Sequence, residues 1–151
     1  MKNILIIALV LFLTACGGDD DGPPNFDGTN DEEIQAYIDD NNLDATRTSS
    51  GLYYVILNEG TGNRPTATSN VRVAYKGYFT NGSVFDESDA TGISFPLNGV
   101  IPGWTEGIQL FREGGNGILL LPSNLGYGSR GTNGIPGGTV LIFDVNLVRI
   151  N

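Results

Sequence analysis

The sequence predicts an α+β domain: a mostly antiparallel β-sheet with one short helix over its apolar face, preceded by a short N-terminal helix. Three observations carry this. From Gly51 onward apolar residues recur at every second position, the period of a strand with one buried face. Asn81-Gly82 stands between two such runs, a pair that favours the tight turn of a β-hairpin. After residue 50 only "WTEGIQLF", starting near Trp104, has helical character, and a helix facing a sheet has to cover the sheet's apolar side. With 151 residues the chain has material for one domain and one substantial core.

The first residues have a different character. Lys2 precedes a ten-residue apolar run, "ILIIALVLFL" (Ile4 to Leu13), which is too short for a bilayer span of about 20 residues but suits a secretory signal. Leu13-Thr14-Ala15-Cys16 resembles the lipobox of bacterial lipoproteins, so residues 1–15 are expected to be a lipoprotein signal peptide, with Cys16 the lipid-modified first residue of the mature chain. Acyl chains on Cys16 would hold the protein on a membrane at about 0.8 kcal/mol per buried CH₂. Cys16 is the only cysteine, so the folded part has neither an internal disulfide nor a thiol nucleophile.

Residues 16–30 read as an acidic disordered tether, because "GGDDDGPPNFDGTN" offers nothing to bury. Residues 31–46 read as a short amphipathic helix and connector. Thr29 and Glu32 have capping-box spacing, and Ile34, Tyr37 and Ile38 share one face of a helix expected over 31–40. The domain proper is expected over 47–151, with strands in "GLYYVIL", "VRVAYKGYF", "SVFDE", "ISFPL", "GILLLP" and "TVLIFDVNLVRI". In the second, Val71, Val73 and Tyr75 share a face; in the last, Leu141, Phe143, Val145 and Leu147 do. In "GILLLP" the alternation turns Leu119 and Leu121 inward and Ile118 and Leu120 outward. The apolar stripe of the leader helix has no other partner, so residues 31–43 are expected to pack there, on the outer face of the sheet or against a partner chain.

Charge and residue types exclude several functions. The net charge of −9 is concentrated in residues 19–46, which hold ten acids and no base; residues 47–151 hold seven of each, so the domain is neutral and lacks the basic footprint of a nucleic-acid binder. There is no histidine, which removes the usual Ser-His-Asp and Cys-His catalysts and histidine-containing metal sites. Asp86, Glu87 and Asp89 are the only acid cluster of the domain, and a cluster at a hairpin end is usually solvated. "EGGNG" and "GYGSRGTNG" lack the lysine of a phosphate loop and read as turns. Any activity is therefore expected to need no nucleophile, metal or cofactor.

Trp104, the only tryptophan, lies in "FPLNGVIPGWTEG", where small rigid neighbours suit either a pocket floor or plain core. Together "VRVAYKGYFTNGSVFDES", "FPLNGVIPGWTEGI", "LPSNLGYG" and "IPGGTVLIFDVNLVRI" resemble, in order and approximate spacing, the FKBP-type peptidyl-prolyl cis-trans isomerases over about residues 50–151. The resemblance implies a curved antiparallel sheet wrapped around one short helix, with Trp104 beginning that helix and flooring the pocket. It implies catalytic roles for Asp86, Tyr75, Tyr127, Phe85 and Trp104, and substrate contacts from Val100, Ile101, Ile135 and Phe143. Ile93 stands where many members have an aromatic, the loop from Asp86 to Phe95 is a few residues short, and the histidine some members carry before Ile-Pro is missing. One pocket wall is thus expected to be thinner.

The implied activity is isomerisation of X-Pro bonds without cofactor, on X-Pro-containing polypeptides, with macrolide inhibitors of the FKBP class as further ligands. The expected setting is the bacterial cell envelope, with the outer membrane favoured by Gly17 after Cys16. Two alternatives stand beside it: a proline-segment binding module or chaperone on the same fold, and a surface lipoprotein with a structural role.

Overall fold

The computed structural model describes residues 24–151. In chain order the elements are α1 (Asp27–Asp40), β1 (Thr46–Arg47), β2 (Tyr53–Asn58), β3 (Asn70–Tyr78), β4 (Val84–Glu87), β5 (Ile93–Pro96), α2 (Pro102–Gly107), β6 (Asn116–Leu121) and β7 (Leu141–Ile150). The strands form one sheet in the order β1-β2-β6-β7-β3-β4, with β5 also paired to β3, and every pairing is antiparallel. Register shifts between Arg72 and Val73, Gly77 and Tyr78, and Ile56 and Asn58 mark irregularities of the kind that bend and twist a sheet. The predicted hairpin turn forms at Asn81-Gly82: the Phe79 N–H donates to Ser83 O (2.9 Å), and Gly82 has φ +87°, a conformation glycine adopts without strain.

Both faces of the sheet are buried, for different reasons. Val71, Val73, Leu119, Leu121, Leu141, Phe143, Val145 and Leu147 turn inward, as the alternation predicts, and pack with Trp104, Ile108 and Phe111. Leu120 and Ile142 turn outward and are fully buried under Ile34, with Tyr37, Ile38, Tyr78 and Ile118 packed around them. The leader helix thus lies on the outer face, over the residues the alternation singled out. On the inner face α2 lies close to β6 because Gly103 and Gly107 face it. A Cβ on Gly107 would approach the Leu119 side chain to 2.7 Å, and one on Gly103 would collide with Leu121.

Two expectations are corrected, and one element was not anticipated. Helix α1 begins at Asp27 rather than Asp31, inside the stretch read as tether; its N-cap residue, Phe26, offers no side-chain cap, the Asp27 N–H donates to Asn25 Oδ1 (2.9 Å), and Thr29 lies within the helix instead of beginning a capping box. The reason is tertiary. Asn30 is buried and bonded to two distant backbone groups, and the helix winds back one turn to carry it there. Helix α2 starts at Pro102, whose fixed φ suits the first helical position, and passes after Gly107 into a 3₁₀ turn over Ile108–Leu110. Strand β1, two residues long, had no pattern to announce it; it pairs with Tyr53 and Tyr54 of β2.

Candidate functional site

Between the inner face and α2 lies a cavity of about 880 Å³. Strand β3 brings Tyr75, β4 brings Phe85 and Asp86, and β7 brings Phe143. Val100 and Ile101 enter from the approach to α2, and Trp104 from its first turn. Tyr127 and Ile135 come from the long connection between β6 and β7, whose tip closes as a small hairpin: Thr132 and Ile135 exchange backbone hydrogen bonds of 2.9 and 3.0 Å around Asn133 and Gly134.

The floor is a cluster of aromatic rings meeting edge to face. Trp104 lies 4.9 Å from Tyr75 at 88° and 5.2 Å from Phe143 at 82°, and Phe85 meets Phe143 at 5.5 Å and 90°. Such pairs are favourable beyond their buried area, and perpendicular rings leave a concave surface where stacked ones would close it. Gly77 makes the arrangement possible: a Cβ there would come within 2.7 Å of the Phe85 ring and 2.8 Å of the Phe143 ring. The Tyr-x-Gly motif therefore pairs a wall residue with the gap that its neighbouring rings require.

Polar groups are few and specific. The Tyr75 hydroxyl donates to Asp86 Oδ2 at 2.6 Å across the β3–β4 pair. Burial first, then the carboxylate of Asp86, holds the Tyr75 phenol well above its ordinary pKa. Trp104 is 5% exposed, and its buried indole N–H has no acceptor among the described residues. Unsatisfied buried donors are costly, by about 1–3 kcal/mol, and call for a specific explanation where they occur. Outside the cavity, Asp89 accepts from the Thr91 hydroxyl (2.6 Å) and from the N–H groups of Thr91 and Gly92 (2.9 and 3.1 Å). These bonds, the hydroxyl first, lower its pKa and fold the Asp86–Phe95 loop into a tight turn.

All ten residues singled out from the sequence line this one cavity: Tyr75, Phe85, Asp86, Ile93, Val100, Ile101, Trp104, Tyr127, Ile135 and Phe143. They differ in exposure. Trp104, Ile135 and Phe143 are buried, whereas Tyr127 is 40% and Ile93 47% exposed at the lip. Phe79, Val84 and Phe95 also line it and were missed. Phe79 had a signal, since it continues the face of Val71, Val73 and Tyr75; Phe95, whose ring lies 5.3 Å from Trp104, had none beyond its neighbours. Cys16 lies outside the described residues.

A model of the FKBP-type peptidyl-prolyl cis-trans isomerases matches residues 62–148. The FKBP-type peptidyl-prolyl cis-trans isomerase FkpA of Aeromonas hydrophila is 50% identical over 105 residues, 68% of this chain and 39% of that protein. The crystal structure of FkpA from Escherichia coli is similar with a TM-score of 0.73 at 36% identity, over 80% of this chain and 58% of that one. A peptidyl-prolyl cis-trans isomerase structure from Pseudomonas syringae pv. tomato reaches 0.71 at 27% identity, over 86% and 99%. The chain spans less than half the length of the curated FkpA proteins it matches. With its motifs gathered around one aromatic cavity on an antiparallel sheet, and with the family model covering most of the domain, the chain belongs to the FKBP-type peptidyl-prolyl cis-trans isomerase family.

Proposed function

We propose that the protein isomerises X-Pro bonds in exported polypeptides, assisting their folding while lipid on Cys16 holds it at a membrane of the cell envelope. The observation that carries this reading is a cavity floored by perpendicular aromatic rings, with a carboxylate–phenol pair in its wall, in a chain without histidine and with its only cysteine in the leader.

The reaction needs little more. Rotation about an X-Pro bond breaks amide resonance, with a barrier of about 18–20 kcal/mol, and unaided exchange takes tens to hundreds of seconds. The planar amide has more charge separation than the twisted one, so an apolar pocket disfavours the ground state relative to the transition state. Lowering the barrier by about 5 to 6 kcal/mol gives roughly 10⁴-fold. Trp104, Phe85 and Phe143 cradle the proline ring. The Tyr127 hydroxyl and the Ile101 N–H hold substrate carbonyls, and Asp86, steadied by Tyr75, orients polar groups beside the twisting amide. Val100, Ile135 and Ile93 complete the walls, and macrolides of the FKBP class compete for the same space.

An NMR exchange assay on an X-Pro peptide tests the activity. The expected result is catalysed exchange that EDTA leaves unchanged. Peptide that binds without faster exchange would make the protein a binding module instead. For the anchor, Cys16→Ser should move the protein out of the membrane fraction with its isomerase rate intact; a variant still firmly bound to membrane would overturn lipid anchoring.

A further inference from the structure

Helix α1 does more than cover the outer face. Asn30 is 1% exposed; its Nδ2 donates to Gly138 O at 2.9 Å, and its Oδ1 accepts from the Ser123 N–H at 2.8 Å. A backbone N–H only donates and a carbonyl only accepts, so these partners fix which way the amide points. They lie near the two ends of the β6–β7 connection, the loop that brings Tyr127 and Ile135 to the cavity. From there the bonding is continuous. The Gly128 N–H donates to Ser123 O (2.7 Å), the Gly138 N–H to Gly128 O (2.9 Å) and the Gly131 N–H to Tyr127 O (3.1 Å). The Phe26 ring lies against Gly138, where a Cβ would come within 2.7 Å of it.

Three residues along α1 from Asn30, on the same face of the helix, Glu33 Oε1 accepts from the Thr80 hydroxyl at 2.6 Å. Thr80 sits in the β3–β4 hairpin, between Phe79 and Phe85 of another cavity wall. One helix therefore holds two walls of the same cavity. Covering Leu120 and Ile142 needs only Ile34 and its apolar neighbours; burying an amide adds nothing to that and is costly unless its bonds are made.

We infer that α1 is a positioning element of the pocket: Asn30 and Glu33 fix the spacing between the Tyr127–Ile135 loop and the β3–β4 hairpin, and thereby the width of the mouth through which a polypeptide enters. This rests on the isomerase reading, because it states how that reaction's pocket is held open. Neither residue touches substrate. The segment that joins the domain to its leader is at the same time the clasp of its pocket.

The test uses the full chain and two readouts, turnover of an X-Pro peptide and amide hydrogen exchange. Asn30→Ala and Asn30→Asp both lose the bond to Gly138, and Glu33→Ala loses the bond to Thr80; Glu33→Gln keeps an acceptor oxygen. Ile34→Val is the control, since it removes a buried methyl without touching either wall. The Asn30 variants should speed exchange at Gly131, Thr132 and Ile135 by about tenfold, the loss of one buried hydrogen bond, with β7 amides unchanged. Glu33→Ala should do the same at Phe79 and Gly82, and Glu33→Gln should restore protection. With turnover, KM should rise about three- to tenfold while kcat changes less. Ile34→Val should lower the unfolding midpoint with neither effect. Exchange that rises equally at loop, hairpin and β7 would reduce α1 to a cover and overturn the inference, as would unchanged KM in an active enzyme. If the wild-type chain shows no turnover, the isomerase reading falls, and the exchange pattern alone decides: loss confined to the walls upholds positioning, and uniform or absent loss overturns it.

Discussion

On the inner face of the sheet the covering helix is six residues long and leaves a cavity; on the outer face a fourteen-residue helix lies over a small closed cluster. The same strands supply both. In β6 and β7, Leu119, Leu121, Leu141 and Phe143 face the cavity side, while Leu120 and Ile142 face α1. What differs is the filling. Trp104, Tyr75, Phe143 and Phe85 meet inside at nearly right angles and hold a concavity open. Outside, Ile34, Leu120, Val140 and Ile142 interlock with the buried Tyr53, and Tyr37 and Tyr78 pack against them, so that no space is left. One face is shaped to receive a ligand and the other to anchor a helix; both carry rings and aliphatic side chains, and the difference is that the inner rings stand edge to face around an open space whereas α1 fills the outer face.

The strongest way to break this contrast is to remove one large side chain from each face. Trp104→Ala and Leu120→Ala should each cost about 3 kcal/mol or more of stability, measured by urea unfolding. Only the first should abolish turnover outright, because only Trp104 floors the cavity. If Leu120→Ala costs less than about 1 kcal/mol, α1 is not part of the core and the two faces are not equivalent layers.

A smaller effect separates chemistry from packing within the inner face. Asp86→Leu should lower turnover by roughly tenfold or more, about 1.4 kcal/mol of transition-state stabilisation, with little change in the unfolding midpoint. The Tyr75–Asp86 pair is exposed enough to contribute little to folding. Full turnover in this variant would leave the carboxylate without a part in the reaction.

The smallest expected effect compares a tyrosine from each face. Tyr75 is raised in pKa by burial and Asp86; Tyr78, on the outer side, is raised by burial, then by hydrogen bonding to Tyr37 and by the nearby charge of Asp144, which its hydroxyl contacts at 3.0 Å. A raised folded-state pKa means that the native state holds the proton more tightly than the unfolded chain does. The associated stability is fully present below the ordinary tyrosine value of about 10 and is lost as pH rises above it. The unfolding midpoint should therefore fall between about pH 10 and 11, less steeply in Tyr75→Phe and in Tyr78→Phe. Equal slopes in all three proteins would mean that neither phenol is linked to folding.

How much of this was legible beforehand varied with the range of the interaction. Strands β2 to β7 and the Asn81-Gly82 turn were legible because alternation and turn chemistry are written in adjacent residues. Ten residues of the cavity lining were legible through the family resemblance; on single-residue grounds Trp104 remained open between core and pocket. Phe95 was not, because nothing local distinguishes a wall aromatic from a core one. The start of α1 was misplaced for a related reason: "NFDGTN" is polar and glycine-containing, and its local preference is for disorder.

By itself the sequence determined the strand periodicity, the faces of β6 and β7, the neutrality of the domain beneath an acidic leader, and the absence of any imidazole or domain thiol. Those are properties of neighbours a few residues apart or of composition. Tertiary structure alone decided that Phe26 and Asn30 belong to the fold. Asn30 finds its partners 93 and 108 residues away, and a buried amide is tolerable only once both exist. It also decided that Gly77 must lack a side chain, since the rings that would collide with it arrive from two other strands. Local pattern chooses which elements form; the satisfaction of buried polar groups and the fit of large rings choose where they end and what they enclose.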